Sequence, residues 1–530
     1  MEEVFAIGGE ADVGNKNAIE KIEFAQLKSL SLGMLPKVTN FFREVKTPPA
    51  SPNRRESEED ELDTSIQLLN EKVVLPNLEA LELRDINIDK IWHYNELPAM
   101  FPGSQSLTRL ILWDCNKLKY IFSATMIRSF EQLQRLEISN CMVLQEIISK
   151  DRAEADQRTT PCFVFPRLTT LILLGLPELK CFYPGMHTSE WPALKILNVV
   201  SCGKIKPFSS GLSLNNENDQ LGIAAAQVPL FSFEKIFPNL EDLALSGEDV
   251  EMILMGDFPH HLFGCLKQVA VATDESECFP LGLLERFLNM EDLYLRACSY
   301  KEIFSSNDEY LEKDVRNFAL IKRLHLVELD DLKHLWKPNS KLEHILQYLE
   351  KLFVSYCQSL LILLPSASIS FRNLTELQVT NCKKLINLVT SSVAKSLVGL
   401  LMLNIYGCRA MTEVVTGDEN GAANPKEEIV FTKLKSISLV DLDSLTSFCS
   451  ANYTFNFPSL QDLEVIGCPK MTIFTTVELC TPPRVNVWYG EGNLWRSDDG
   501  GVNTTIQHLH DEKLLEGSSS HIAYDWIRDI

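Results

Sequence analysis

The side chains best suited to metal ligation or nucleophilic chemistry in this chain are 14 cysteines and ten histidines. No two cysteines are spaced as C-x-x-C, and the close histidine pairs His260-His261 and His508/His510 lack further ligands at a suitable spacing. The sequence also lacks a phosphate-binding G-x-x-x-x-G-K-[ST] loop, an H-E-x-x-H motif and a G-x-S-x-G motif. We therefore expect no enzyme, no catalytic residue, no metal site and no cofactor.

Eight of the cysteines share one place in a recurring pattern. From Leu107 to Cys115 the sequence reads L-x-x-L-x-L-x-x-C, and apolar residues follow at Leu118 and Ile121. A cysteine at a repeated position is typical of a small buried apolar group, so we expect free thiols and a reducing compartment. The eight residues are Cys115, Cys141, Cys202, Cys298, Cys357, Cys382, Cys408 and Cys468.

The pattern returns along most of the chain, often at intervals of 25 or 26 residues. A fixed pattern at this period is typical of leucine-rich repeats. We predict an α/β repeat solenoid, a leucine-rich-repeat horseshoe or arc. Its concave face should be a parallel sheet, and its convex side should hold irregular coil, short helical turns and some short strands. The fifteen predicted repeats begin at Leu27, Leu78, Leu107, Leu133, Leu168, Leu194, Leu240, Leu266, Met290, Ile321, Leu349, Leu374, Leu400, Leu434 and Leu460.

Interruptions of this rhythm suggest the organisation of the chain. An acidic run, Glu56 to Asp63, follows several prolines and should form a solvated loop. The start at Met1 matches the segment after a repeat strand, so we expect either a piece of a longer protein or an end covered by a partner. The predicted segments are 1–45 (first repeats without an N-terminal cap), 46–75 (acidic Pro-rich loop), 76–208 (repeats), 209–232 (loop insertion), 233–480 (repeats) and 481–530 (C-terminal cap and tail).

The formal charge of −22 bears on partners and location. Such an acidic surface argues against general binding to nucleic acids or anionic membranes. The first residues do not resemble a signal peptide, and no uncharged run reaches the roughly 18 apolar residues of a membrane span. We therefore expect a cytoplasmic protein whose partners are proteins.

The residues between the strand leucines should point out of the sheet, onto the concave face. Several are aromatic or arginine, the types enriched at binding hot spots. Packing between neighbouring strands is the alternative role for any one of them. The predicted partner-binding residues are Trp113, Arg135, Glu137, Tyr294, Arg296, Arg323, His325, Lys351, Phe353 and Tyr406.

The repeats resemble those of plant intracellular immune receptors of the coiled-coil, nucleotide-binding, leucine-rich-repeat class. The resemblance lies in F-P-x-L-x-x-L-x-L phrases such as Phe165 to Leu173, and in L-x-I-x-x-C-x-x-L/M-x-E-I/V phrases such as Leu403 to Val414. It implies a plant-defence module that recognises a pathogen effector or a guarded host protein and restrains a nucleotide-binding switch. Neither the coiled coil nor the switch is in this sequence. The alternative is a free-standing leucine-rich-repeat scaffold or inhibitor.

Overall fold

A computed structural model describes most of the repeat region together with parts of both ends. The described residues are 3–7, 22–38, 40–44, 67–69, 73–92, 105–150, 160–205, 239–256, 263–304, 318–336, 343–364, 370–418, 427–490, 493–497 and 501–516. They belong to two compact units, Met1–Cys265 and Leu266–Ile530.

The first unit contains a main sheet of five-residue parallel strands. Neighbouring strands pair in register, so that Leu110 lies beside Leu136 and Leu136 beside Leu171. Its strands are β3 (Ser29–Gly33), β7 (Ala80–Arg84), β9 (Arg109–Trp113), β11 (Arg135–Ser139), β14 (Thr170–Leu174), β16 (Ile196–Val200) and β17 (Asp242–Ser246).

The second unit repeats this arrangement, and its sheet ends in an antiparallel pair of strands, β34 (Asn486–Gly490) with β35 (Asn493–Arg496). Helix α5 (Gly501–Glu516) contacts β34 and buries Val502 and Ile506. The main-sheet strands are β18 (Gln268–Ala272), β19 (Asp292–Arg296), β21 (Arg323–Val327), β23 (Lys351–Ser355), β25 (Glu376–Thr380), β27 (Met402–Tyr406), β30 (Ser436–Val440), β32 (Asp462–Ile466), β34 (Asn486–Gly490) and β35 (Asn493–Arg496).

The leucine pattern produces these strands because alternate residues of a strand point to opposite faces. In β21, Leu324 and Leu326 are fully buried while Arg323 and His325 are partly exposed. An observed strand begins two residues after each of the fifteen predicted repeat starts. The parallel-strand solenoid predicted from the sequence is therefore confirmed.

The return segments contain the coil, short helical turns and short strands that were predicted, and the short strands are more numerous than expected. Short parallel pairs form a second layer. For example, β24 (Ile362–Leu364) pairs with β26 (Asn387–Thr390), and β26 pairs with β28 (Glu413–Thr416). The additional strands are β1 (Glu3–Ile7), β2 (Ile22–Glu23), β4 (Asn40–Glu44), β5 (Gln67–Leu69), β6 (Val73–Val74), β8 (Lys90–Trp92), β10 (Phe122–Ser123), β12 (Ile148–Ser149), β13 (Cys162–Val164), β15 (Thr188–Glu190), β20 (Glu302–Phe304), β22 (His334–Trp336), β24 (Ile362–Leu364), β26 (Asn387–Thr390), β28 (Glu413–Thr416), β29 (Glu428–Val430), β31 (Thr454–Asn456) and β33 (Leu479–Cys480).

Helices are few and mostly short in the described part of the chain. The longest in a return segment is α1 (Gly247–Met255), which begins with a capping box at Ser246 and Asp249 and follows directly after β17. No helix there is long and apolar enough to cross a membrane. The helices of the return segments are α1 (Gly247–Met255), α2 (Gly282–Arg286), α3 (Glu343–Leu346) and α4 (Ser391–Ala394), with a 3-10 helix at Met126–Ser129.

Two predicted loops fall largely outside the described residues. The acidic run of segment 46–75 and the whole of segment 209–232 lie outside the described residues. Strands β5 and β6 are described and lie near the end of segment 46–75. Strand β34 lies within the segment predicted as a C-terminal cap and tail. These segment boundaries therefore remain predictions.

The register cysteines occupy the core, as predicted from their position in the repeat. All eight are buried, and all 14 cysteines of the chain are free. The thiols lie against carbonyl oxygens at the strand ends: the Sγ of Cys298 is 3.3 Å from the oxygen of Arg296 and 3.5 Å from that of Val271. Each cysteine thus fills a small space, and five of the eight thiols also contact a carbonyl oxygen of the preceding repeat.

Iodoacetamide should therefore alkylate the exposed thiols of Cys162, Cys265 and Cys480 well before the register cysteines. Burial raises the pKa of the Cys202 thiol to about 12 and that of Cys298 to about 11, so little reactive thiolate forms near neutral pH. Peptide mass spectrometry after a brief exposure measures this difference. A chain unfolded in guanidinium is the control, and prompt labelling of Cys202 or Cys298 in the native chain would contradict the assignment.

A residue with a left-handed backbone conformation follows most of the main strands. Its N–H continues the sheet ladder: that of Asp114 donates to the carbonyl oxygen of Ser139 at 3.1 Å, and that of Tyr356 to Thr380 at 2.9 Å. Asn, Asp and Gly tolerate this conformation best. Glu328 and Tyr356 adopt it as well, with φ of 58° and 57°.

In several repeats, the side chain just before the first leucine links successive repeats on the opposite edge of the sheet. The amide of Asn373 donates to the carbonyl oxygen of Gln347 at 2.9 Å, and the hydroxyl of Ser459 donates to that of Thr432 at 2.8 Å. Gly399 occupies the same place before Leu400. There the backbone itself lies against the carbonyl oxygen of Arg372, without room for a β-carbon.

Candidate functional site

The outward residues of strands β18 to β34 form one surface of the second unit, here termed the outer face. Each strand contributes its first, third and fifth residues, because the second and fourth point into the core. The in-register pairing places equivalent positions side by side on neighbouring strands. Residues about 30 positions apart in the sequence therefore become direct neighbours.

Three rings on the neighbouring strands β19, β21 and β23 form a continuous stack on the outer face. The centroids of Tyr294 and His325 are 3.8 Å apart with an interplanar angle of 10°, and those of His325 and Phe353 are 4.5 Å apart at 17°. All three side chains are half-buried. Aromatic pairs contribute about 0.5–1.5 kcal/mol beyond their buried area, so this aromatic stack is a rigid surface feature.

Ion pairs border one side of the aromatic stack. The guanidinium of Arg323 binds Asp292 through two contacts, Nε to Oδ1 at 2.5 Å and Nη2 to Oδ2 at 2.6 Å. The Nζ of Lys351 lies 2.8 Å from an oxygen of Glu376. The two-pronged pair fixes the orientation of Arg323. Both cations are thus neutralised within the sheet.

A looser pair borders the other side of the aromatic stack. The Nε of Arg296 lies 3.2 Å from Oε2 of Glu328, and the two side chains are 67% and 46% exposed. Exposed pairs of this kind contribute about 0–1 kcal/mol to stability. Arg296 is therefore held weakly and can exchange Glu328 for another partner.

His325 is neutral within the aromatic stack near physiological pH. Burial is the main reason, and the nearby charges of Arg323 and Lys351 also lower its pKa, to about 4. A neutral imidazole stacks against Tyr294 and Phe353 without bringing an extra charge to the surface. This part of the outer face is therefore apolar along the aromatic stack and ionic on both sides of it.

Acidification should destabilise the wild-type second unit more than a His325→Phe variant. The unfolded chain takes up a proton as pH falls through about 6.5, the usual histidine pKa. The folded chain takes up this proton only near pH 4. The contribution of the neutral His325 to the free energy of unfolding is therefore complete above about pH 6.5 and is lost as the pH falls from about 6.5 to about 4. Urea midpoints at several pH values measure the effect.

The control for this comparison is His334→Phe, which replaces an exposed histidine of the same unit. It should leave the pH dependence of the urea midpoint as it is in the wild type. If His325→Phe and the wild type lose stability in parallel between neutral and acidic pH, the stacked imidazole does not resist protonation.

Tyr406 lies apart from the other predicted residues of this unit. Strand β25 separates it from Phe353, and its hydroxyl is near Ser438 and Glu464. Burial, and then the negative charge of Glu464, raise the pKa of Tyr406. The structure thus brings together six predicted residues and places Tyr406 further along the same sheet. The six are Tyr294, Arg296, Arg323, His325, Lys351 and Phe353.

The other three predicted residues lie in the first unit. Trp113 is 37% exposed, and the Cζ of Arg84 is 5.0 Å from its ring centroid, within the range of a cation–π contact. The Nη2 of Arg135 is 2.6 Å from Oε2 of Glu137. These residues form a separate surface, on β9 and β11.

The comparisons with known proteins agree with the repeat architecture. A family model described as "Plant disease resistance protein RPS2-like, leucine-rich repeats" matches residues 77–213, 239–369 and 364–480. The chain belongs to this family. It is a leucine-rich-repeat module of the plant-defence type. Repeat solenoids of this kind act as scaffolds for protein interactions.

Two curated Arabidopsis thaliana proteins resemble part of this RPS2-like module. "Probable disease resistance protein At5g47260" is 28% identical over 158 residues, which are 29% of this chain and 16% of that protein. "Probable disease resistance protein At4g27220" is 29% identical over 141 residues, which are 26% of this chain and 15% of that protein. The matched region thus spans about one-sixth of the length of these relatives.

A solved structure, "Crystal structure of TLR13-ssRNA13 complex", also overlaps with the module. It is 12% identical and superimposes with a TM-score of 0.26, over 75% of this chain and 74% of that chain.

Sequence reasoning missed the acidic partner that orients this RPS2-like surface. Asp292 is almost fully buried, although it occupies an outward position at the start of β19. A signal was available, since aligning successive repeats puts Asp292 beside Arg323 at equivalent positions. An acid and an arginine at one register position indicate an ion pair across parallel strands.

Proposed function

We propose that the outer face of the second unit binds a protein during plant defence. The partner is a pathogen effector or the host protein that an effector alters. The observation that supports this proposal best is the aromatic stack Tyr294–His325–Phe353, bordered by Arg323 and Lys351. Preorganised rings lose little conformational entropy when a partner covers them, and Tyr and Arg are enriched at binding hot spots.

The neutralised border favours a protein partner over a nucleic acid. Arg323 and Lys351 already have carboxylate partners, so few cations remain to contact phosphates. Their paired groups can still donate and accept hydrogen bonds at the rim of an interface. An apolar centre with a polar rim is typical of protein–protein contacts.

A second part of the proposal concerns regulation in the cytoplasm. The resemblance to intracellular immune receptors implies that such a module restrains a nucleotide-binding switch until it meets its partner. Purified module added to the switch domain of its receptor should slow nucleotide exchange, measured by release of a fluorescent nucleotide. Unchanged exchange at saturating module would contradict restraint and would leave partner binding untouched.

Partner binding is tested by comparing the wild type with a Tyr294→Ala/Phe353→Ala variant. Both chains are used to purify proteins from healthy and infected leaf tissue, and the recovered proteins are quantified by mass spectrometry. A protein recovered only by the wild type is then expressed, and its affinity is measured by calorimetry. Equal affinity for the two chains would contradict a binding site at the aromatic stack.

A further inference from the structure

Strand β35 is the last strand of the main sheet of the second unit. It runs antiparallel to β34 on one side, and no other strand in the described part of the chain pairs with its second side. Open sheet edges invite pairing with further strands, and proteins usually protect them with charges, prolines or bulges. On β35, Leu494 is 55% exposed and Trp495 is 42% exposed. This edge therefore combines open backbone groups with large apolar side chains.

The register of β34 and β35 shows which backbone groups face the open side. The N–H of Ser497 donates to the carbonyl oxygen of Val485 at 2.9 Å, so these two residues form a hydrogen-bonded pair. Hydrogen-bonded and non-hydrogen-bonded pairs alternate along an antiparallel ladder. Trp495 therefore directs its N–H and C=O at β34, whereas Leu494 and Arg496 direct theirs at the open side. The groups offered to a neighbouring strand are thus symmetric about Trp495.

The apolar side chains of β35 lie on both faces of the sheet. Leu494 is opposite Trp488, on the side of the outer face. Trp495 is opposite Val487, which is fully buried, and so lies on the core side. Trp495 thus extends the core layer by one strand without being fully covered. A further strand beside β35 would bury Leu494 on one face and Trp495 on the other.

We propose that this edge pairs with β35 of a second copy of the chain. An antiparallel arrangement centred on Trp495 places Leu494 opposite Arg496 of the second copy, and Arg496 opposite its Leu494. Each of these two pairs exchanges two backbone hydrogen bonds. The two Trp495 side chains meet on the core side, and the apolar stem of Arg496 lies against Leu494 of the second copy. The edge fits itself because its open groups have the two-fold symmetry of a closed dimer.

The dimer goes beyond the binding of one partner by one chain. Its two-fold axis is perpendicular to the sheet, so the outer faces of both copies lie on the same side of one continuous sheet. Two aromatic stacks are then presented together. A partner with several equivalent sites would gain avidity from this arrangement, because its second contact would be intramolecular.

Sedimentation equilibrium of the full chain tests this inference. The wild type should form a reversible dimer with a dissociation constant on the order of 10 μM, since interfaces below about 1,200 Å² give weak complexes. Leu494→Lys should raise this constant by about tenfold or more, because each introduced lysine would face Arg496 of the second copy. Adding Arg496→Glu to Leu494→Lys should restore dimerisation, because opposite charges then face each other across the axis.

A second pair of variants separates backbone pairing from side-chain association. Arg496→Pro removes an N–H that faces the open side and keeps the ladder with β34, since an edge strand tolerates proline where its N–H points outward. The dissociation constant should rise by about tenfold or more, because each dimer loses two hydrogen bonds. Arg496→Ala is the matched control. It keeps the N–H and should dimerise nearly as the wild type does. Circular dichroism checks the folding of each variant.

The results that would overturn the inference are distinct. A wild type that stays monomeric at about ten times the expected dissociation constant would do so, and would leave a strand of another protein as the occupant of this edge. A dimer that persists unchanged in both Leu494→Lys and Arg496→Pro would show that the copies meet at another surface. Equal losses in Arg496→Pro and Arg496→Ala would contradict backbone pairing. These variants leave the aromatic stack intact, so the proposed partner binding is tested independently.

Discussion

Replacing both Tyr294 and Phe353 by alanine is expected to weaken partner binding about 100-fold, because two hot-spot residues are removed together. The change also leaves His325 without either of its stacking neighbours. The remaining imidazole is then mobile, so a partner must order it on binding. Calorimetry on the partner identified with the wild-type chain measures the loss.

Tyr348→Ala is the control for this experiment. Tyr348 is 44% exposed and precedes β23, outside the outer face, so its removal deletes a similar aromatic area from the same unit. Binding should be unchanged in this variant, and the double variant should retain the wild-type circular dichroism spectrum. A folded double variant with wild-type affinity would rule out the aromatic stack as the binding site.

Gly399→Ala is expected to destabilise the second unit by about 3 kcal/mol, near the upper end of typical overpacking costs. A β-carbon there would overlap the carbonyl oxygen of Arg372 and lie 3.2 Å from that of Leu374. Both obstacles are backbone atoms, so no side chain can rotate away to relieve them. The contact between two repeats must open instead. The midpoint and slope of urea unfolding measure the loss.

Gly203→Ala is the matched control, because a β-carbon at Gly203 meets no atom within 4 Å. Its effect on the urea midpoint should be small. If Gly399→Ala is as stable as the wild type, the backbone of the two repeats is not held together as closely as the structure indicates at this edge of the sheet.

The strand positions could be predicted from the sequence because one physical requirement sets them. Each main strand must bury two alternate apolar residues, as β21 buries Leu324 and Leu326. These two residues stand at the same distance from the start of their repeat as their equivalents do in the other repeats. The outward positions follow from the same alternation. The burial of the register cysteines was predictable because a recurring small apolar residue indicates a core position.

The remaining features depend on contacts between repeats, which a single repeat does not reveal. Predicting the short distance between the rings of Tyr294 and His325 requires knowledge of how strands β19 and β21 pair. Predicting the burial of Asp292 requires knowing that Arg323 lies beside it. The left-handed residues after the strands were not predicted, since Glu328 and Tyr356 are not typical of that conformation. The second layer of short strands was underestimated because its segments vary in sequence.

The constant register between neighbouring main strands also affects how such a protein can change over generations. In most main strands each residue pairs with its equivalent in the next repeat, as Leu352 does with Leu377 and Leu377 with Leu403. A duplication or deletion of one whole repeat in the gene would therefore leave every neighbouring strand with an equivalent partner. The sheet would lengthen or shorten by one strand width, about 4.8 Å. Unequal recombination could thus renew the binding surface while the framework still folds.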